Sequence, residues 1–257
     1  PVDMLAHLIV GSEGTLAFVS EVTYHTVVEH PHKASALVFY PDIKAACDAI
    51  QILAQHKDVV SSAELLDRAS LKSVENKAGV PDFIKTLGPD AAAILIETRA
   101  ASPDAIAANV AAISGYIAHI TTETGIRFTS DVAEYTQYWN IRKGMFPSVG
   151  AMRAAETTVI IEDVAFPIEH LAEGTLKLQA LFRQFHYHEA IIFGHALEGN
   201  LHFVFTPNFS GPAEIARYEA FSEAVCQLVA VKSEGALNVE HGTGRNMAPF
   251  VETESGP

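Results

Sequence analysis

Residues 189–205 read EAIIFGHALEGNLHFVF, two apolar runs around a central Glu198-Gly199 pair. Such runs joined at an acid–glycine step predict an antiparallel hairpin with a two-residue turn. That turn sets His195 directly opposite His202 on one sheet face, with Cβ atoms roughly 4.5–5.5 Å apart. Two imidazoles at this spacing can share one metal ion, with zinc–nitrogen bonds of about 2.0–2.1 Å. Further along, a second glycine-rich block reads Glu240-His241-Gly242-Thr243-Gly244-Arg245. A carboxylate from Glu240 makes two histidines and one acid, which leaves a position open as catalytic sites do; structural zinc sites are closed by four protein ligands. The chain holds 12 histidines, and a histidine pair on a strand is by itself more often packing than ligation. Gly194, Gly199, Asn200 and the Glu-His block favour ligation here.

Composition narrows the classes. At 257 residues, 49% hydrophobic and 19% charged, the chain is globular and long enough for one large domain or two small ones. No apolar run approaches the ~18 residues of a membrane span, and no signal-peptide pattern opens the chain. A net charge of −14 argues against nucleic acid or an anionic membrane as the main partner. An anionic substrate then needs a local basic clamp. Cys47 and Cys226 lie in helix-like segments without metal or redox spacing. That suits buried side chains in a reducing cytoplasm, at most peripheral to the inner membrane face. The chain starts at Pro1 inside structured-looking sequence and stops at Pro257, just past the second glycine-rich block. A piece excised from a longer protein is expected.

Near the start, a short apolar run meets Gly11-Ser12-Glu13-Gly14-Thr15, and the alternating LAFVSEVTYHTV that follows predicts a strand. Glycines at 11 and 14 let a backbone approach a ligand closely, although an ordinary turn reads the same way. From residue 34, strands ASALVFY, VSSAEL and AAAILIETRA alternate with helices IKAACDAIQILAQH, LLDRASLKSVENKA and AIAANVAAISGYIA, with a last strand at GIRFTS. Pro41-Asp42 and Ser102-Pro103-Asp104 mark helix starts. The second half repeats the logic: helix DVAEYTQYWNIRKGM, strand TTVIIEDVAFP, a helix opened by Pro167, the histidine hairpin, and a long helix from Pro212 to Gly235. The order predicts an α+β fold, a largely antiparallel sheet of ferredoxin-like units with helices covering one face. Residues 34–257 read as one domain.

Other side chains could carry chemistry. Arg142 and Lys143 end a helix that contains Trp139, where the helix dipole favours a solvated cation pair; alternatively Arg142 forks onto a substrate carboxylate. Asp163 sits near a strand end, where carboxylates more often cap the next helix than react, and Glu162 alternates with it. His241 beside a metal-polarised hydroxyl would be a natural general base.

Taken together, VGSEGTLAFVSEVTY, the Trp139-x-Ile141-Arg142-Lys143 run, GHALEGNLHFVF and VEHGTGR resemble the FAD-linked oxidases of the vanillyl-alcohol oxidase type. The nearest groups are D-lactate dehydrogenase, D-2-hydroxyglutarate dehydrogenase and the glycolate oxidase flavin subunit. The resemblance covers nearly the whole chain. It implies that residues 1–33 are the terminal strand of an FAD-binding domain, that Gly11, Ser12, Glu13, Gly14 and Thr15 lie at the cofactor, and that most of the FAD site is in a missing N-terminal domain. Residues 34–257 would then be the cap domain that holds substrate. It further implies His195, His202 and Glu240 as ligands of a divalent metal, with zinc expected. His241 matches the base, and Arg142 and Asn200 match substrate-binding positions. Ile161 stands about where the 2-hydroxyglutarate enzymes carry a lysine, so a second carboxylate clamp does not carry over. IEDVAFP and EHGTGRNMAPF look most like bacterial fusions in which an iron–sulfur module follows the flavoprotein, a candidate electron acceptor. No G-x-G-x-x-G unit occurs, which points away from free NAD.

The expected reaction is oxidation of a D-2-hydroxy acid to the 2-oxo acid, carried out by an assembly of which this chain is a fragment; an oligomer is compatible with it. Two rivals stay open at this level: a non-catalytic ligand-binding domain whose histidines pack in the core, and a metallohydrolase using the same ligands on water.

Overall fold

Short polar side chains close the helix starts. Asp42, Asp67 and Asp131 accept from the backbone amides of Ala45, Ser70 and Glu134, and Ser102 accepts from Ala105 ahead of Pro103, each satisfying an amide that has no partner inside its helix. In the computed structural model, which describes residues 2–12, 14–77 and 79–256, the chain begins with α1 (Val2–Val10). It continues through β1 (His32–Tyr40), α2 (Ile43–Leu53), β2 (Ser62–Leu66), α3 (Arg68–Val74), β3 (Ala92–Ala100), α4 (Pro103–Ile117) and α5 (Val132–Met152). Then come β4 (Ile160–Ala165), α6 (Leu171–Gln184), β5 (Ile191–His195), β6 (Asn200–Phe205), α7 (Pro212–Cys226), α8 (Gly244–Met247) and α9 (Val251–Ser255).

The six strands form one sheet in the order β1-β3-β2-β5-β6-β4, and every neighbouring pair is antiparallel. The order is a palindrome. In each half the third strand lies between the first and second, a helix (α2 or α6) links the first two, and another (α4 or α7) follows the third. These are the expected ferredoxin-like units, joined edge to edge through β2 and β5. The α+β fold and antiparallel sheet are therefore as predicted.

Helices cover both sheet faces, however, rather than one. Side chains of α2, α4, α6 and α7 pack with Val38, Leu65, Ile94 and Phe203 on one face. Those of α3 and α5 pack with Phe39, Leu66, Ile191, Phe193 and Val204 on the other. The strands are apolar at consecutive positions, as in the β6 run NLHFVF, where all six residues are buried. A strand buried on both sides needs a layer on each.

Three local expectations change. The predicted strand after residue 15 has no ladder, and Phe18 and Val27 are 92% and 91% exposed; an extended segment becomes a strand only when an edge accepts its hydrogen bonds. The strand at GIRFTS shrinks to a single bridge between Ser35 and Thr129. In the hairpin, Phe193 rather than His195 lies opposite His202. Residues Ala196–Glu198 form a 3-10 turn closed by Gly199 in the left-handed region, and Ala196 and Leu197 are buried. Burying those two side chains withdraws them from the ladder. The register shifts by two places, which preserves the face on which each side chain lies. Gly199 is required, since a Cβ there would sit 2.0 Å from the Phe166 carbonyl oxygen. Cys47 and Cys226 are free and buried, as read from their context. Among the described residues no helix is long and apolar enough to cross a membrane.

Candidate active site

The register collects polar side chains from four strands. Glu64 on β2 faces His195 on β5, and His202 on β6 faces both Phe193 and Asp163, the latter on β4. Opposed residues share a face, as do residues two apart on a strand. Glu64, His195, His202 and Asp163 thus form one row, on the face covered by α3 and α5, where Leu66, Phe193 and Val204 pack. The row begins where that apolar cluster ends.

Each member has a specific partner. His195 Nδ1 lies 2.6 Å from Glu64 Oε1, and Arg142 Nε of α5 donates to Glu64 Oε2 at 2.7 Å. The Arg142 guanidinium also rests 4.3 Å over the Phe193 ring. His195 Nε2 and His202 Nε2 both approach Glu240 Oε1, at 3.4 and 2.7 Å. The His241 ring stacks on His202 with centroids 5.0 Å apart. Asp163, 1% exposed, accepts from the backbone amides of Glu240 and His241 at 2.7 and 3.2 Å. Its other oxygen lies 3.6 Å from His241 Nδ1. Asp163 does cap backbone, as a carboxylate at a strand end tends to, but the backbone belongs to the distant Glu-His loop instead of the next helix.

Electrostatics follow from this packing. Burial pushes the Glu64 carboxyl up, yet the hydrogen bond from His195 and the charge of Arg142 outweigh it and hold it below the usual carboxylate value. The His195 pKa is raised, first by its bond to Glu64 and against the effect of burial. Burial, then the positive charge of His195 and Arg142, push His202 down to about 4. Its ring is neutral at pH 7, the form that can donate a lone pair to a metal.

Asp163, His202, Glu240 and His241 offer ligand atoms that all lie within 4.8 Å of one another, and His195 joins them through Glu240. Formally, Glu64, Asp163 and Glu240 outnumber the single Arg142, so the donor set suits a cation. Asn200 Oδ1 and His202 Nδ1 are buried with no hydrogen-bond partner among the described groups, and buried polar atoms of that kind call for a bound species. A cleft of about 220 Å³ beside His241 is lined by Glu162, Thr243, Arg245 and Asn246. A larger one, about 850 Å³, is lined by Asp67, Lys72 and Arg183 and includes none of the row. Size is therefore no guide to the chemistry here.

The fold brings His195, His202, Glu240, His241 and Arg142 together, with Asn200 two residues before His202 on β6. It does not bring in the glycine-rich turn. Ser12 Oγ donates to the Ile9 carbonyl at 2.8 Å and Thr15 Oγ1 to the Ser12 carbonyl at 2.6 Å. Gly11 and Gly14 stay in the same turn behind α1, and Glu13 lies outside the described residues. Glu64 is the residue that sequence reasoning missed. Its signal was an acid inside the apolar strand SAELL.

Known proteins resemble this chain over nearly its whole length. Residues 29–257 match the family described as FAD linked oxidases, C-terminal domain. Glycolate oxidase subunit GlcD of Bacillus subtilis (strain 168) is 26% identical over 254 residues, covering 96% of this chain and 50% of that protein. The mitochondrial D-lactate dehydrogenase (cytochrome) of Arabidopsis thaliana is 26% identical over 258 residues, covering 98% and 42%. The chain spans about half the length of these curated relatives. Among solved structures, alkyldihydroxyacetonephosphate synthase superposes with a TM-score of 0.62 over 97% of this chain and 48% of that one. At 14% identity it speaks for the fold alone. With residues 29–257 inside the family's pattern, the chain belongs to the FAD linked oxidases, whose C-terminal domain it carries.

Proposed function

We propose that this chain is the cap, the substrate- and metal-binding part, of an FAD-dependent dehydrogenase that oxidises a D-2-hydroxy acid of the lactate, glycolate or 2-hydroxyglutarate class to the 2-oxo acid. The approach of His195 Nε2 and His202 Nε2 to one oxygen of Glu240, beside Arg142, carries this reading. Two imidazoles and one carboxylate fit a divalent cation, zinc by preference, and leave room for a substrate oxygen. Asp163 is a support rather than a ligand, because two backbone amides and the His241 ring already engage it. When bound, the cation supplies positive charge that acidifies the substrate hydroxyl. FAD, the family's cofactor, supplies the acceptor for the electron pair that leaves C2.

The chain's own groups do the rest. With Nε held by Glu64, the two terminal amino groups of Arg142 are free to fork onto the substrate carboxylate. Asn200 Oδ1 accepts from the bound molecule. Asp163 beside His241 Nδ1 favours the proton on that atom, which leaves Nε2 to take the hydroxyl proton. Residues 1–33 belong to the FAD-binding domain, with Gly11–Thr15 near the cofactor, and 34–257 form the cap. The exposed side chains of Phe18, Tyr24 and Val27 support this, since a row of exposed apolar groups needs a covering surface. The partner would be an electron acceptor other than NAD, with an iron–sulfur module expected.

Anaerobic mixing of the flavin-loaded protein with D-lactate, glycolate or D-2-hydroxyglutarate tests the reading. Bleaching of the flavin absorbance is expected, and His195→Ala and His202→Ala should slow it about 100-fold or more, the scale of losing a metal-activated step. Flavin that stays oxidised with all three acids overturns the reading.

A further inference from the structure

Glu64 bridges the proposed metal ligand His195 and the proposed substrate clamp Arg142. Its side chain is 5% exposed, in the interior of β2 between Ala63 and Leu65. A carboxylate buried there is costly unless charge and hydrogen bonds compensate it. Each oxygen has its own partner: Oε1 meets His195 Nδ1 at 2.6 Å, and Oε2 accepts from Arg142 Nε at 2.7 Å. We propose that Glu64 is a positioning residue that couples cation binding at His195 to substrate-carboxylate binding at Arg142. The inference rests on the function proposed above and adds to it the group that joins its two halves.

The argument is one of donors and acceptors. A carboxylate only accepts, so it requires a proton on His195 Nδ1; in the neutral ring the Nε2 lone pair is then the one left for a cation shared with Glu240. The same carboxylate holds Arg142 by Nε while the Phe193 ring supports its flat face, which fixes where the remaining fork points. An amide at this position cannot serve both partners. If its oxygen stays with Arg142, its NH2 meets Nδ1 and drives the ring proton to Nε2, which removes the ligand lone pair. If its oxygen stays with His195, its NH2 faces the Arg142 N–H, and two donors repel. β2 is an interior strand of the sheet, so the backbone cannot shift to relieve either conflict.

The experiment compares wild type with Glu64→Gln and Glu64→Asp, with thermal melting as the check on folding. Zinc affinity by competition with a chromogenic chelator should fall about 10–100-fold in Glu64→Gln, the usual scale for losing the group that orients a metal-ligating histidine, or KM for the hydroxy acid should rise by a similar factor. Glu64→Asp should restore part of either loss. Nitrogen-15 NMR of the zinc-free protein, at a pH where the His195 ring is neutral, should show the proton on Nδ1 in wild type and shifted toward Nε2 in Glu64→Gln. A wild-type protein that takes up no zinc brings down the function proposed above and this inference with it. Zinc binding by wild type, with unchanged affinity, KM and tautomer in Glu64→Gln, overturns the role of Glu64 alone. Should Glu64→Gln fail to fold, a neutral wild-type His195 with its one proton on Nε2 still overturns the proposal, and one with its proton on Nδ1 upholds it.

Discussion

Asp163→Ala should release the loop that carries Glu240 and His241 while leaving the sheet intact, and the size of the effect follows from two bonds. Oδ2 of Asp163 accepts from the amides of Glu240 and His241 at 2.7 and 3.2 Å. A hydrogen bond to a charged group contributes ~1.5–3 kcal/mol. Both donors lie on exposed residues, where water replaces a lost acceptor, so the lower end applies and the pair amounts to about 3 kcal/mol. At ~1.4 kcal/mol per factor of ten, docking of the loop weakens about 100-fold. Amide hydrogen exchange at Glu240 and His241 should accelerate by up to that factor. Exchange in the paired strands β1 and β3 should keep its wild-type rate. Apparent zinc affinity should fall by no more than the same factor, because affinity scales with the population of the competent state. Asp163→Asn, which keeps one acceptor and loses the charge, should fall between. Equal exchange at both amides in wild type and Asp163→Ala would refute the assignment of Asp163 as the anchor of this loop.

Other substitutions probe other parts of the argument. Gly199→Ala places a side chain at φ +71 with its Cβ against the Phe166 carbonyl; the left-handed backbone costs ~1–2 kcal/mol and the weakened Phe166–Gly199 bond about 1 more, so urea titration should show a loss of about 2–3 kcal/mol, and under ~1 kcal/mol would count against the tight-turn reading. Arg142→Lys keeps the charge but not the fork, so steady-state assays of the flavin-loaded protein should show KM raised about tenfold or more, with kcat less affected; unchanged KM would detach Arg142 from the substrate. Burial pushes the thiols of Cys47 and Cys226 up to about 12. At pH 8 neither should react with a disulfide reagent until the protein is denatured, when both should. Because the folded values lie above the ~8.5 of a free thiol, their contribution to stability is complete below that pH and is lost as pH rises from there through about 12. A melting temperature flat across that alkaline range would contradict it.

Legibility in the sequence tracked how local the determinant was. Helix starts at Asp42, Ser102, Asp131 and Pro212 were readable because a cap acts on amides two or three residues away. His195 and His202 were found because one hairpin carries both, and Glu240 and His241 because glycines flank them. The predicted strand at residues 16–27 had the right alternation and still formed no ladder, since alternation describes a side-chain pattern and not the presence of an edge to bind.

By itself, then, the sequence determined the element types, the antiparallel hairpin, the family, and most side chains of the candidate site, all of which depend on neighbours along the chain. Only the tertiary structure decided the register of that hairpin, the second helical layer, and the partners of the site. Glu64 meets His195 across 131 residues and Arg142 across 78, and Asp163 reaches Glu240 across 77. Such pairs are set by which strands lie side by side and which side chains the two cores bury. Burial of Ala196 and Leu197 moved the ladder by two places, and no spacing in the sequence encodes that, because it is a competition between turn geometry and the packing of distant helices.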